Sequence, residues 1–152
     1  MSFETTRDIL DHAKTFHRRL SDVYTKLGER SDKEKIKVLL TYMSRHQEHV
    51  AECLAELEAA SAREIMDTWF KFTPTMKHEK CFECINIDAN MSTAEIIDTT
   101  LRVDACLVSF YEQAASHAVS QGVRDLFSKL LEMEKKEETQ CLRKMVEFDE
   151  EA

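Results

Sequence analysis

Helix breakers are almost absent from this chain. Its 152 residues include two Gly and one Pro, so helices can run for many turns without interruption. Apolar residues recur three or four apart over four long stretches, which is the spacing of one helix face. The first, about Thr6 to Leu27, lines up Ile9, Ala13, Phe16, Leu20, Val23 and Leu27, and Gly28 stands where a helix would stop. The second opens on Ser31 and Glu34, a capping-box pair, and runs through Ile36, Leu39, Leu40, Met43, Val50, Cys53, Leu54 and Leu57. The third opens on Ser92 and Glu95, another such pair, with Ile96, Ile97, Leu101, Leu107, Val108 and Tyr111 as its face. The fourth starts near Gly122 and uses Val123, Leu126, Phe127, Leu130, Leu131, Cys141 and Met145.

The links decide the topology. Stretches one and two are separated by only a few residues around Gly28, and stretches three and four by a few around Gly122. Short links make antiparallel hairpins. Between the hairpins lies a long segment, about Glu58 to Met91, whose AASAREIMDTWF portion can continue helix two. A helix of about 24 residues is roughly 36 Å long, and a connection of this size can return along it. The expected fold is all-α: a single domain over 1–152, an antiparallel four-helix bundle with a long crossover between two helical hairpins.

The hairpins also repeat each other. His17 is matched by Asp104 after 87 residues, His46 by Glu134 after 88, and His49 by Glu137 after 88. Tyr24 follows His17 by seven, and Tyr111 follows Asp104 by seven. The six potential ligands fall on or beside the apolar stripes, so two or three carboxylates and two or three imidazoles point toward one core. A lone core histidine is ordinarily a hydrogen-bonded structural residue, and glutamates in a run such as EMEKKEET ordinarily face water; the matched offsets set these apart. Ionised carboxylates in a core are costly unless paired or metal-bound, and no Lys or Arg shares the stripes at that level. Histidine with carboxylate suits Fe, Mn, Zn or Co. Tyr24 and Tyr111 are expected in the core with hydrogen-bonded hydroxyls.

The arrangement resembles the rubrerythrin-like branch of the ferritin-like superfamily. Its members carry a Glu on helix one and a Glu-x-x-His on helix two, then the same again on helices three and four, with a Tyr seven past the first ligand. The matching positions are His17; His46-Gln47-Glu48-His49; Asp104; and Glu134-Lys135-Lys136-Glu137. Only His49 and Glu134 keep the usual residue. The resemblance implies a ferritin-like bundle and O2 or peroxide chemistry at a divalent transition metal, iron first and zinc or manganese as alternatives. It also implies a nitrogen-rich half (His17, His46, His49, with Glu134 as fourth ligand) and an oxygen-rich half (Asp104, Glu134, Glu137). The competing class is a non-enzymatic metal-binding or structural bundle, for example zinc-loaded, and dimeric.

A net charge of -8 argues against nucleic acid or an anionic membrane as partner. No apolar run is long enough to cross a bilayer, and MSFETTRDIL does not read as a secretory leader. The five cysteines are an odd count, which points to a reducing cytoplasm rather than a disulfide framework. Cys81 and Cys84 form a lone Cys-x-x-Cys near His78, and no second pair completes a rubredoxin-type centre. Trp69, Phe70, Phe72 and Phe82 are expected to cover one end of the bundle or to form a homodimer patch. His12 and His117 are expected at the surface, and the EFDEEA tail in solvent. No phosphate loop or nucleophile elbow occurs.

Overall fold

The computed structural model describes residues 4–70 and 90–150, with side chains to 148. Cys81, Cys84, His78, Phe72 and Phe82 lie outside the described residues. The described chain is all-helical: α1 (Thr6–Arg30), α2 (Glu34–Ala60), α3 (Arg63–Met66), α4 (Thr93–Ser116) and α5 (Gln121–Glu150). No helix among the described residues is long and apolar enough to cross a membrane.

Three of the four long helices start where a side chain takes up free N–H groups. Thr5 accepts from the Asp8 N–H at 3.2 Å while Asp8 accepts from the Thr5 N–H at 3.0 Å, a full capping box. Ser92 caps α4 through the Glu95 N–H at 3.2 Å. Ser120 accepts from the Val123 N–H at 3.3 Å ahead of α5. The expected Ser31–Glu34 box does not form. α1 runs through Gly28 to Arg30, Ser31 closes it with its N–H on the Gly28 carbonyl, and Lys33 opens α2 without a side-chain cap. Gly28 has no positive φ, so its lack of a Cβ is not used for a turn. Nor does α2 continue through AASAREIMDTWF: Ser61 ends it in extended backbone, and only the turn of α3 follows.

α1 packs along α2, α4 along α5, and α2 also meets α5. The apolar faces close on one core that holds Phe16, Leu20, Leu40, Met43, Leu54, Leu107, Phe127 and Leu130. On α4 the buried face is Ile96, Thr100, Val103, Leu107, Phe110, Tyr111 and Ala114, while Leu101, expected inside, is exposed. Beyond α3 the chain returns to the start of α1. Thr5 bridges Trp69, the Thr6 N–H donates to Thr68 at 3.0 Å, and the Phe70 N–H donates to Glu4 at 2.9 Å. Phe70 then meets Phe127 edge-on at 5.8 Å, while Trp69 stays 60% exposed. So Phe70 covers an end of the core and Trp69 does not. Arg7 pairs with Asp67 and Glu58 across the same end.

Burial gives the repeat a single register. Pairs 87 positions apart share an environment: the caps Thr5 and Ser92, the core pairs Ile9 and Ile96, Leu20 and Leu107, Tyr24 and Tyr111, Ile36 and Val123, Leu40 and Phe127, Met43 and Leu130, Leu54 and Cys141. The offset is constant through both helices of each hairpin. Gln47, not His46, is therefore the counterpart of Glu134, and both are buried. The 88-residue pairings of His46 with Glu134 and His49 with Glu137 are one residue out. On a helix that is a rotation of about 100°.

Candidate metal centre

Core spacing on α1 carries His17 inward, between Phe16 and Leu20, where it is 1% exposed. Both ring nitrogens have partners: Nδ1–H donates to Gln47 Oε1 at 2.6 Å, and Nε2–H to Glu134 Oε1 at 2.9 Å. The Tyr111 hydroxyl donates to the same Glu134 oxygen at 3.2 Å. Four residues from four helices thus form one buried polar chain. Burial disfavours the imidazolium, but the Glu134 charge and hydrogen bond, the Gln47 bond and the Asp104 charge outweigh it, and the His17 pKa is raised. Burial and the Glu134 charge together push the Tyr111 hydroxyl well up. Tyr24 is likewise fully buried, its hydroxyl 3.4 Å from Thr100 Oγ1. Both tyrosines are core residues with hydrogen-bonded hydroxyls, as their spacing suggests.

Below this chain lies a small cavity, about 10 Å³, bordered by His17, His46, Asp104, Glu134, Glu137 and Glu138, with Gln47, Val50, Thr100 and Cys141 completing the wall. That is close to the space of one water or one ion. Five of the six residues singled out by sequence border it; His49 does not. No Lys or Arg is in its lining. Burial, the neighbouring Glu138 carboxyl and the Glu134 charge hold the Asp104 carboxyl well above the usual carboxylate range. Cys141, at the wall, is pushed up to about 12 by burial and by Asp104, Glu137 and Glu138.

His46 and His49 sit at the outer rim, where α2 meets α5. His46 Nδ1 is 3.9 Å from Glu137 Oε2, and His49 Nε2 is 3.6 Å from Glu137 Oε1. The His49 side chain is 57% exposed, so it is not on the core stripe of α2. Burial lowers the His46 pKa, with Glu137 opposing. Cys53 Sγ is 3.6 Å from His49 Nε2. Burial, then the charges of Glu137, Glu56, Glu52 and Glu134, push its thiol up.

Gln47, Glu138 and Cys53 were not among the sequence candidates. A constant offset of 87, read from the caps and tyrosines, would have pointed to Gln47. Glu138 is hidden in a charged run, and nothing in the spacing marks Cys53. The odd cysteine count points away from a disulfide framework, yet Cys106 is disulfide-bonded, while Cys53 and Cys141 carry free thiols. His12 is half-buried beside Glu4 at 2.6 Å, and His117 is exposed. Compared with known proteins, the chain matches no family model, no curated protein and no solved structure.

Proposed function

We propose that this chain is a metal-binding, ferritin-like four-helix bundle whose core cavity takes a divalent transition-metal ion, iron first and zinc or manganese as alternatives. The observation that carries the reading is the donor set: four carboxylates (Asp104, Glu134, Glu137, Glu138) and two imidazoles (His17, His46) around about 10 Å³, with no Lys or Arg in the lining. Charge counting supports it. With His17 protonated and His46 neutral, the directions in which their pKa values are shifted, four ionised carboxylates leave a net of -3, which one divalent cation reduces to -1. Without the ion, protonating an acid is the other way to lower that charge, and the Asp104 carboxyl beside Glu138 is shifted in that direction.

The donors fit the ion unevenly. Asp104, Glu134, Glu137 and Glu138 all come from α4 and α5. In the 87-residue register, the helix-two positions facing them are Gln47 and Val50, a neutral amide and a hydrocarbon. The resemblance implies an acid and an imidazole there. One ion, held mainly by Asp104, Glu134 and Glu138, suits this better than two. Hard oxygen ligands would supply its first contacts, and His17 would orient Glu134. A bound iron ion would supply redox chemistry, which a peroxide-consumption assay reads directly.

A second reading is a structural bundle without metal, favoured by the hydrogen bonds at both ring nitrogens of His17. Metal content per chain separates the two. The protein is loaded anaerobically with Fe(II), Zn(II) or Mn(II), passed through a desalting column and analysed for elements. The expected result is about one interior equivalent, lost in the Asp104→Asn/Glu138→Gln double variant while the helical signal persists. Metal content unchanged in the folded double variant, or none in the parent, overturns the proposal.

A further inference from the structure

His49 and Cys53 stand apart from the core cavity, Glu137 borders it, and the three were not drawn together by any sequence motif. His49 and Cys53 are one turn apart on α2, and Glu137 reaches them from α5. One ligand atom from each lies within 4.8 Å of the other two. His49 Nε2 is 3.6 Å from Cys53 Sγ and 3.6 Å from Glu137 Oε1. Those separations are diagnostic. Zinc–ligand bonds of about 2.0–2.3 Å in a tetrahedron put neighbouring ligand atoms about 3.3–3.6 Å apart. The two edges from His49 are thus close to those of a tetrahedral site before any ion enters, and the Cys53–Glu137 edge lies within 4.8 Å.

The surroundings agree. The second Glu137 oxygen lies 3.9 Å from His46 Nδ1, which can fix the direction of the carboxylate. Glu52, Glu56 and Glu134 add negative charge around the thiol, so the spot attracts cations. His49 is open to solvent on its outer side, leaving a fourth position for water. A thiolate with an imidazole and one carboxylate prefers Zn(II) or Co(II) to Mn(II) or Mg(II).

We infer that His49, Cys53 and Glu137 form a separate, thiolate-containing site for a tetrahedral divalent ion of the zinc class, at the surface groove between α2 and α5. It does not rest on the core reading, because of its three ligands only Glu137 also borders the cavity. Zinc would bind as the Cys53 thiol gives its proton to solvent, so uptake releases protons.

The test is an anaerobic Co(II) titration of the full chain. The expected result is a thiolate-to-cobalt charge-transfer band that saturates at one equivalent and is removed by Zn(II). Cys53→Ser should abolish the band and lower bound metal by one equivalent, and His49→Ala should weaken binding at least tenfold. The Asp104→Asn/Glu138→Gln variant should keep the band, so failure at the core and failure at the rim read separately. No band in the parent, or a band undiminished in Cys53→Ser, overturns the assignment. Loss of the band in the folded core double variant overturns the independence of the two sites.

Discussion

Glu134 is the acceptor on which the buried polar chain depends, and removing it has a cost that can be worked from the structure. Its Oε1 takes the Nε2–H of His17 at 2.9 Å and the hydroxyl of Tyr111 at 3.2 Å. Those donors are 1% and 0% exposed, so bulk water cannot replace the lost partner. Each orphaned buried donor costs about 1–3 kcal/mol, and Glu134→Ala leaves two, or about 2–6 kcal/mol in metal-free protein. Glu134→Gln keeps an acceptor oxygen but loses the charge. Hydrogen bonds to charged groups are worth about 1.5–3 kcal/mol and neutral ones about 0.5–1.5, so with two bonds weakened that variant should lose about 2–3, towards the low end of the Ala range. For a domain of this size each kcal/mol moves Tm by about 2–4 °C. Urea and thermal unfolding in EDTA, followed by helical circular dichroism, give both numbers. A Glu134→Ala chain within about 0.5 kcal/mol of the parent would refute the reasoning, as would a Gln variant as unstable as the Ala variant.

Metal-free protein should also lose stability as pH rises from about 6.5 to 8. The folded His17 pKa is raised above 6.5, so its contribution is complete below the unfolded value and is lost as pH climbs through the folded one. His46, lowered by burial, acts below 6.5, while Asp104, whose pKa is also raised, adds to the same downward slope; His17→Gln should therefore reduce the slope of the urea midpoint against pH without abolishing it. Gly28→Ala should stabilise by about 0.5–1 kcal/mol, because the residue is helical and a new Cβ would meet Leu40 Cβ at an ordinary 3.5 Å. A lower thermal midpoint for that variant would contradict it. Asp104→Asn should stabilise metal-free protein at pH 8, since it removes an acid whose charge is disfavoured there; a destabilised variant in EDTA would count against the buried-acid argument.

Most of the helical architecture is legible because it depends on spacing alone. Three-and-four periodicity located all four long helices, and Ser92 marked the start of α4 to the residue. The errors came where one residue matters. Gly28 reads as a stop, but an extended Ser31 ends α1 instead. Leu101 reads as core because it is apolar, yet Thr99 and Thr100 take the buried side of that turn, their hydroxyls bonded back to Glu95 and Ile96 carbonyls at 3.0 Å. The candidate site turns on the same one-residue difference. His46 and His49 drew attention as ligand types, but the buried position between them belongs to Gln47, whose amide is no obvious ligand. His17, Asp104 and Glu134 were found because their positions and their chemistry agree.

The constant offset of 87 has a consequence for symmetry. Two identical hairpins meeting face to face must present the same side chain at equivalent points, so a histidine would confront a histidine and an amide an amide. Joining the hairpins in one chain removes that constraint. His17 stands opposite an acid-bearing half with Asp104 as its counterpart, and Gln47 has Glu134 as its own. The fold keeps the matched caps, tyrosines and core leucines of a symmetric pair, while its centre is polarised: base and amide on one side, acids on the other.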